Sequence, residues 1–505
     1  MTDANDLPSD APKDTARPEE DALPPRPARR HARPPVKGRW AISVSLAAVV
    51  VVVGVIALAV PVPGAAPPPG GTDGVGLAPA DARSSSAFCT AGAGTAAAST
   101  IYLTNTTSHP IAASMTTVAA STGGRAASVL RAVTVPPLGT AAVNPALGMP
   151  AGSTASTIVF AGGGVSADQV VAGPAGWSMA PCASQISSDW AFAGGSTAAG
   201  DSLALALFNP SASPATVNVS FLTAHGLMTP QPYQGLLVAA GQLVVENVGD
   251  YVQNVPAIAT IVSADSGALV SDELQQTGSP GLSLRLGSPD LSTSWQFAQN
   301  TSLVGSMLAF DLANPGASPV TATLSVGLPG ASVTPRSIDV PPQSNVIFRA
   351  PIAGWPVRTP YSVSIEATGP IVAGRSVTGA SGARSPVWGS TSGSTTISDQ
   401  WLLPGPGVPG APGIAGATTR SVAVADPGSS PAQVALDALS GATVARFTVP
   451  PGKLMVLGPA AVGGLRVFTV TASQPVSVEA DSGPTGAPGI VAFSGFPFSS
   501  DSGGG

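Results

Sequence analysis

Short stretches of alternating apolar and polar residues follow one another from Phe88 towards the end of the chain. TVNVSFL, VTATLSV and AQVALDAL are three of them, and each comes directly after a proline-containing turn. Alternation with a period of two predicts β-strands that bury one face. About seven such strands in a hundred residues, with turns between them, are typical of a β-sandwich. The pattern therefore predicts an all-β protein.

The strands and turns recur with a long period. Trp190, Trp295 and Trp401 open matching segments that lie 105 and 106 residues apart. Each opening strand leads to an Asx-Pro turn, in LFNPSASPA, LANPGASPV and VADPGSSPA, and a weaker copy is LTNTTSHPI. Asx before proline favours a turn, because the side chain can bond the backbone two residues on while proline presets φ. The chain thus repeats one unit.

These repeats predict tandem immunoglobulin-like β-sandwiches. We place them at residues 86–186, 187–288, 289–397 and 398–496, with a disordered tail at 497–505. Four blades of one β-propeller are the structural alternative. The period disfavours it, because a propeller blade usually takes only about 40 to 50 residues.

An uncharged apolar run precedes the repeats. Residues 41–60 read AISVSLAAVVVVVGVIALAV, which at about 1.5 Å per residue can cross a bilayer. The stretch before it carries bases without any acid between them: Arg26, Arg29, Arg30, Arg33, Lys37 and Arg39. Such a flank faces the cytoplasm. We therefore predict a single transmembrane helix at 40–60, a cytoplasmic N-terminus and an extracytoplasmic C-terminal region at the cell membrane.

The segments on either side of this helix lack apolar periodicity. Residues 1–39 mix acids, prolines and bases, which favours a disordered cytoplasmic tail. Residues 61–85 are rich in proline, glycine and serine, and they predict a semi-extended linker. A cleaved signal peptide is the rival interpretation of the apolar run. Its length argues against this, because the apolar part of such peptides takes roughly 7 to 15 residues.

The net charge of the chain limits the kinds of partner that it can bind. The formal net charge is −6, and Lys453 is the only lysine after the first forty residues. Binding to nucleic acid depends on clustered bases, so we expect no nucleic-acid partner.

Two cysteines flank the first repeat. Cys89 lies at its start and Cys182 at its end. An even pair in an oxidising compartment predicts a disulfide, with two buried thiols as the alternative. Two cysteines without nearby histidine fall short of the ligands of a zinc site, so we expect no metal. No motif indicates a cofactor.

Residues suited to catalysis are few. The repeats contain two histidines, His109 and His225, and both lie in predicted turns rather than beside a nucleophile. A glycoside hydrolase needs two facing carboxylates. Candidates for such a pair are Asp272, Glu273, Glu366, Glu479 and Asp481. They are scattered along closing hairpins, where solvated charges at strand edges explain them more simply. We expect no catalytic residues, and a carboxylate-dependent hydrolase is a second alternative function.

Aromatic side chains could instead bind sugars by stacking. Five that lie near predicted loops are candidates: Trp177, Tyr251, Trp355, Tyr361 and Trp388. Packing at junctions between repeats is the competing interpretation. The recurring Trp190, Trp295 and Trp401 should pack inside the sandwiches, because they occupy the same place in each repeat.

Several segments carry a resemblance to a known family. With its F-C start, TIYLTNTT, DWAFAGGST and LFNPSASPATVNVSFLT, the chain resembles a family of actinobacterial membrane-anchored envelope proteins of unknown function over most of residues 85–495. The resemblance implies a location in the envelope and assigns no catalytic residue. We therefore expect a non-catalytic binding or scaffolding protein, with a membrane glycosyltransferase or a cell-wall assembly complex as partner. A cell-wall glycan-binding protein is the alternative.

Overall fold

The computed structural model describes residues 74–90, 98–121, 126–173, 175–278, 281–302, 306–330, 333–350, 354–379, 387–405, 417–462, 467–484 and 491–498. All of them belong to the compact unit Ala65–Gly505. The predictions for residues 1–39, 40–60, 61–73 and 499–505 lie outside these ranges. Within the ranges, no helix has the length and apolar character needed to span a bilayer.

The described residues are almost entirely β-structure, which confirms the predicted class. The first set of strands, sandwich 1, consists of β1 (Ser85–Cys89), β2 (Ala98–Asn105), β3 (Ile111–Ala119), β4 (Ser128–Val135), β5 (Gly139–Val143), β6 (Thr154–Phe160), β7 (Val165–Gly173) and β8 (Gly176–Pro181). Sandwich 2 consists of β9 (Asp189–Gly195), β10 (Ser202–Phe208), β11 (Ala215–Thr223), β12 (Gly226–Met228), β13 (Leu236–Val238), β14 (Leu243–Asn247), β15 (Ile258–Ser266), β16 (Val270–Gln276) and β17 (Leu282–Leu286). Short 3-10 turns lie at Gln231–Tyr233 and Val248–Asp250.

Two further sets follow in the same order. Sandwich 3 consists of β18 (Ser292–Asn300), β19 (Ser306–Asn314), β20 (Val320–Gly327), β21 (Arg336–Val340), β22 (Ser344–Arg349), β23 (Tyr361–Gly379) and β24 (Val387–Ser392). Sandwich 4 consists of β25 (Ser398–Pro404), β26 (Ala417–Asp426), β27 (Ala432–Ala438), β28 (Thr443–Val449), β29 (Lys453–Leu457), α1 (Pro459–Val462), β30 (Val467–Pro484), β31 (Val491–Ser494) and β32 (Phe496–Pro497).

One antiparallel pairing scheme recurs in all four sets. In sandwich 1 the first sheet has the order β1-β6-β3-β4 and the second sheet the order β5-β2-β7-β8. Sandwich 2 repeats it with β9-β15-β11-β12 and β14-β10-β16-β17. In sandwiches 3 and 4 one long strand, β23 or β30, runs through both sheets and replaces the sixth and seventh strands.

This order differs from that of a constant-type immunoglobulin domain. There the first strand shares a sheet with the second, whereas β1 pairs with β6. Each repeat has two packed sheets, but an immunoglobulin-like topology stays a prediction. The boundaries of the domains also stay a prediction.

The recurring tryptophans are buried in the sandwiches, as their spacing predicted. Trp190 donates its indole N–H to the carbonyl of Leu269, at 2.9 Å. Trp295 bonds Ile371 in the same way at 3.2 Å, and Trp401 bonds Val476 at 3.1 Å. These three carbonyls lie where the chain passes from the first sheet to the second. Each indole thus ties the opening strand to that crossing.

The Asx-Pro turns form as predicted. Asn209 accepts the N–H of Ser211 at 3.0 Å and donates to the carbonyls of Ser213 and Val238. Asn105 and Asn314 make the corresponding contacts at their own turns. Asp426 accepts the N–H groups of Gly428 and Ala432, at 2.8 and 3.1 Å. The side chain thereby supplies hydrogen-bond partners for backbone groups that the turn would otherwise leave unpaired.

Cys89 and Cys182 form the predicted disulfide. They lie beside the antiparallel bridge between Phe88 and Ala183. The equivalent bridge in sandwich 2 joins Ala191 to Ser288, so Phe192 and Gly287 occupy the cysteine positions.

The same place holds a large residue against a glycine in every other sandwich. A Cβ on Gly287 would meet the ring of Phe192 at 2.7 Å, and one on Gly393 would meet Phe297 at 2.7 Å. In sandwich 4, a Cβ on Gly495 would meet Leu403 at 2.8 Å. A covalent bond in sandwich 1 thus replaces a close apolar contact in the others.

The linker prediction is wrong for its second half. Val75 and Leu77 are buried in the cluster that contains Trp190, so residues 74–79 are part of the folded body. We call residues 74–79 the strap. Its Ala78 carbonyl accepts the N–H of Gly164, and its Leu77 N–H bonds the carbonyl of Pro497 at 3.3 Å. Two apolar side chains among glycine and proline were enough to bury this stretch.

Successive sandwiches pack face to face. The outer side of one first sheet lies on the second sheet of the next sandwich, as where Val118 and Ala155 contact Phe208 and Leu243. Ala298 packs in the same way on Ala423, Ala425 and Leu454. The interfaces are therefore repeated along with the sandwiches.

The four sandwiches form a closed ring. The strands equivalent to β8 touch in cyclic order, since β8 contacts β17, β17 contacts β24, β24 contacts β31, and β31 contacts β8. The strand pairing excludes the propeller alternative, because each repeat has two facing sheets. The arrangement around a common centre nevertheless resembles that of propeller blades.

Candidate functional site

A cleft opens where β8, β17, β24 and β31 meet. It has a volume of roughly 80 Å³ and takes residues from every sandwich and from the strap. Its apolar lining includes Val75, Met179, Leu284 and Phe493. Its polar lining consists mainly of hydroxyl groups, those of Ser288, Thr391, Ser392, Ser394 and Ser494. We call it the axial cleft.

Serine hydroxyls satisfy the strand edges that meet at this centre. An edge strand leaves backbone N–H and C=O groups without ladder partners. The N–H of Leu284 is bonded to Oγ of Ser178, at 2.8 Å, and Oγ of Ser283 donates to the carbonyl of Ser390, at 2.6 Å. Small hydroxyl side chains therefore let the edge strands approach one another without loss of hydrogen bonds.

Arg285 is the charged residue that lines the cleft. Its guanidinium pairs with the Glu273 carboxylate at 2.6 Å and bonds Oγ of Ser390 at 3.0 Å. It also donates to the carbonyl of Ala193. Burial raises the pKa of nearby Asp311 to about 6, while Arg285 acts in the opposite direction. The Glu273 carboxylate thus neutralises Arg285, and hydroxyls are the other polar side-chain groups of the cleft.

One position of β7 and its equivalents β16, β23 and β30 recurs at the junctions between sandwiches. Asp168, Asp272, Gly374 and Glu479 occupy it, each opposite the residue three places before an Asx turn. At the first junction, Asp272 accepts bonds from Thr90 and from Gln169, the latter at 2.6 Å. At the third, Glu479 pairs with Arg375 and accepts the N–H of Gln299 at 2.9 Å.

The other two copies of this position differ. Gly374 has no room for a side chain, because a Cβ there would lie 2.5 Å from the carbonyl oxygen of Ala193. Asp168 is fully buried, and no hydrogen-bond partner for its carboxyl lies within the described part of the chain. Burial raises the pKa of Asp168 well above its ordinary value.

Asp272 should make stability fall as pH rises. Burial raises its pKa to about 7, although the bonds from Thr90 and Gln169 lower it. An unfolded aspartate has a pKa of about 3.9, so between these values the folded chain binds more protons than the unfolded chain. The free energy of unfolding should therefore drop by up to about 4 kcal/mol from pH 4 to pH 7 through this group. Denaturant unfolding across that range measures the slope.

Asp272→Asn is the control for this effect. It keeps the shape of the side chain and removes its titration. The slope of the variant should be shallower than that of the wild type, although Asp168 and Asp311 contribute in the same direction. Equal slopes would contradict the assignment.

The carboxylates proposed for a hydrolase are placed differently from the prediction. Asp272, Glu273 and Glu479 are buried and hold neighbouring elements together, so they are not solvated edge charges. Asp481 accepts a bond from Gln299 at 2.8 Å, and exposed Glu366 accepts one from Ser294 at 2.8 Å. His109 and His225 lie exposed in turns. Among the described residues, no three His, Cys, Asp or Glu side chains are grouped to hold a metal ion.

The candidate stacking aromatics divide into two kinds. Trp177, Trp355 and Tyr361 are buried, so they cannot offer a ring face to a sugar. Trp355 packs against Phe348, with ring centroids 4.8 Å apart. Tyr251 is 52% exposed. The side chain of Trp388 lies outside the described part of the structure.

Sequence reasoning missed the two buried arginines. Arg285 lies in LSLRL and Arg375 in VAGRSV, each a single base within a run that otherwise reads as a buried strand. A buried base needs a carboxylate partner. That rule was the available signal, since unpaired charges are rarely buried.

Comparisons with known proteins add little on function. A profile described as "Family of unknown function (DUF5719)" matches residues 165–384. No curated protein matches the chain.

Two solved structures match over most of their own length. "Crystal Structure of Thermotoga maritima 1070" has 18% identity and a TM-score of 0.19, covering 20% of this chain and 92% of that chain. A tetra-tandem repeat in the extending region of a large adhesion protein has 12% identity and a TM-score of 0.09, covering 78% and 92%. Neither TM-score supports an inference about this chain.

Proposed function

We propose that this chain is a non-catalytic, membrane-anchored module that binds or scaffolds a partner on the outer side of the cell membrane. The observation that carries the proposal is that the buried charged side chains bond to neighbouring strands and sandwiches. Asp272, Glu273 and Glu479 join strands and sandwiches to one another, and Arg285 and Arg375 serve the same purpose. Such bonds support a structural use for these buried groups.

The anchor in this proposal is the apolar run of residues 41–60. Its basic flank supports a cytoplasmic N-terminus, with the ring on the other side of the membrane. A disulfide in sandwich 1 supports the oxidising side of the membrane, because such bonds persist there.

The partner in this proposal is another protein of the envelope, of the membrane glycosyltransferase or cell-wall assembly class. A ring of immunoglobulin-like sandwiches offers broad sheet faces and a shallow cleft, which suit contact with a folded protein. The resemblance to actinobacterial envelope proteins supports the location.

Deleting residues 41–60 tests the anchor. The deletion should move the chain from the membrane fraction to the soluble fraction, because the remaining sequence has no comparable apolar run. Fractionation followed by immunoblotting measures the distribution. Replacing the same residues by an unrelated transmembrane helix is the control, and it should restore the membrane location. A chain that stays in the membrane fraction after the deletion would contradict the anchor.

Crosslinking in cells followed by mass spectrometry tests the partner. Wild-type chain should capture a protein of the envelope, and the variant without residues 41–60 should not. Glycan binding is the competing function, supported by exposed Tyr251. Retention on purified cell-wall polysaccharide that Tyr251→Ala abolishes, without any protein captured, would favour the glycan over the protein partner.

A further inference from the structure

Three of the four junctions in the ring are spanned by a short connection of the chain. Residues 182–188 connect sandwich 1 to sandwich 2, residues 287–291 connect sandwich 2 to sandwich 3, and residues 393–397 connect sandwich 3 to sandwich 4. Sandwiches 4 and 1 stand at opposite ends of the repeats, so no such connection joins them. We call the contact between them, where β31 meets β8, the closing junction. The ring can separate there without straining any connection between consecutive sandwiches.

Two of the connected junctions bury an acid against a donor from the preceding sandwich. Asp272 accepts a hydrogen bond from Nε2 of Gln169 at 2.6 Å, and Glu479 pairs with Arg375. Gln169 and Arg375 occupy the same position of their own sandwiches, one residue after the position that recurs at the junctions. A long donor side chain of one sandwich thus satisfies a buried acid of the next.

The closing junction has the acid without the donor. Asp168 takes the place of Asp272 and Glu479, and its buried carboxyl has no hydrogen-bond partner within the described part of the chain. In sandwich 4 the position of Gln169 is held by Ala480, whose methyl group has nothing to donate. Burying an unpaired polar group is unfavourable. The closing junction therefore lacks a stabilising contact that two of the connected junctions have.

The strap lies across the closing junction and bonds both of its sides. Its Ala78 carbonyl accepts the N–H of Gly164 in sandwich 1 at 2.9 Å, and its Leu77 N–H donates to the carbonyl of Pro497 in sandwich 4 at 3.3 Å. The side chains of Val75 and Leu77 are buried in a cluster that takes three residues from sandwich 4: Leu402, Phe493 and Phe496. Adjacent residues of the strap thus hold opposite sides of the junction.

A run of three glycines, at positions 162–164, receives the strap on sandwich 1. A Cβ on Gly163 would collide with the carbonyl oxygen of Pro79 and would lie 3.0 Å from the Cβ of Ala82. The absence of side chains therefore lets the backbone of the strap lie directly on the backbone of the glycine run. In the sequence this run indicates no more than a turn.

We propose that the ring opens at the closing junction and that the strap is the clasp that keeps it closed. Opening moves sandwich 4 away from the sheet that carries Asp168, so that this carboxyl reaches water. It also widens the axial cleft, because Met179 and Phe493 line the cleft from the two sides of the junction. This device depends neither on the membrane anchor nor on the partner of the proposed function.

Distances between spin labels on the full-length chain in detergent test the clasp. Ala142→Cys on sandwich 1 and Thr443→Cys on sandwich 4 supply exposed labelling sites on the two sides of the closing junction. The native cysteines are bonded to each other and do not react. Leu237→Cys with Ser337→Cys, on sandwiches 2 and 3, is the reference pair. Pulsed electron paramagnetic resonance should give one narrow distance distribution for each pair in the wild-type background.

Gly163→Ala should open the junction, because the added methyl group displaces the strap. A second, longer distance should then appear between positions 142 and 443, while the reference pair keeps its distance. Gly330→Ala is the matched control, since an added Cβ there meets nothing within 4 Å, and it should change neither distribution. Leu77→Ala weakens the strap without touching the glycine run. It should raise the share of the longer distance at least about tenfold over the wild type.

Ala480→Gln tests the missing donor. Added to Gly163→Ala, it should return most of the chains to the short distance, because a glutamine at this position can donate to Asp168 as Gln169 does to Asp272. Ala480→Met has a similar size and no donor, and it should leave the longer distance in place. Equal effects of the two substitutions would contradict the role of the donor.

Two outcomes would overturn the clasp itself. One is a distance between positions 142 and 443 that stays short in both Gly163→Ala and Leu77→Ala. The other is a broadening of the reference pair together with the pair across the closing junction, because this would show that the variants lose the fold of the whole ring instead of opening it at one place.

Discussion

Replacing Arg375 by methionine should lower the free energy of unfolding by about 3 to 5 kcal/mol. The substitution leaves the Glu479 carboxylate buried between sandwiches 3 and 4 without its cation. It also removes the donor to the carbonyl of Gln299 and to Asn300, the latter at 2.9 Å. An uncompensated buried charge is the largest of these losses. Chemical denaturation of the full chain, followed by tryptophan fluorescence, measures the change.

A double variant separates the charge from the packing. Arg375→Met with Glu479→Leu should recover more than half of the loss, because an apolar pair of similar volume can replace a buried ion pair. Arg446→Met, at an exposed site, is the control and should change stability by less than about 0.5 kcal/mol. A double variant no more stable than the single one would contradict the explanation.

Removing the disulfide should have an effect of similar size. Cys89→Ala with Cys182→Ala opens a loop whose ends are 93 residues apart. The chain-entropy treatment of such loops gives a loss of about 4 to 5 kcal/mol. Urea unfolding in detergent measures this loss in the free energy of unfolding. Unfolding of the wild type under reducing conditions, which also opens the disulfide, should give the same loss.

The other sandwiches suggest a replacement for this disulfide. Cys89→Phe with Cys182→Gly copies the pair formed by Phe192 and Gly287. This variant should be more stable than the alanine variant by about 2 kcal/mol, because a buried phenylalanine side chain contributes about that much. Equal stability of the two variants would show that the positions are not interchangeable.

The sequence predicted what depends on local pattern. Alternation gave the strands, and the spacing of Trp190, Trp295 and Trp401 gave the repeat, because each sandwich buries its core by itself. The Asx-Pro turns were visible for the same reason, since their hydrogen bonds join residues close in the chain.

Features that join distant repeats could not be predicted from the sequence. Glu479 looks like a solvated edge charge until its partner Arg375, 104 residues earlier, is known. The composition of the strap predicts a linker, because proline and glycine outweigh Val75 and Leu77 in it. Closure of the ring depends on β31 meeting β8, and no periodicity within one repeat encodes that contact.

The strap is the part of the ring that takes up a mechanical load first. The carbonyl of its first residue, Gly74, accepts the N–H of Ser184 at 2.9 Å, and Leu77 bonds Pro497 three residues later. If the proposed anchor holds the preceding residues, a force that pulls the ring away from the membrane acts first on the Gly74 contact and then on the Leu77 contact. The strap would therefore peel from the ring before that force reaches the buried Asp272 and Glu479.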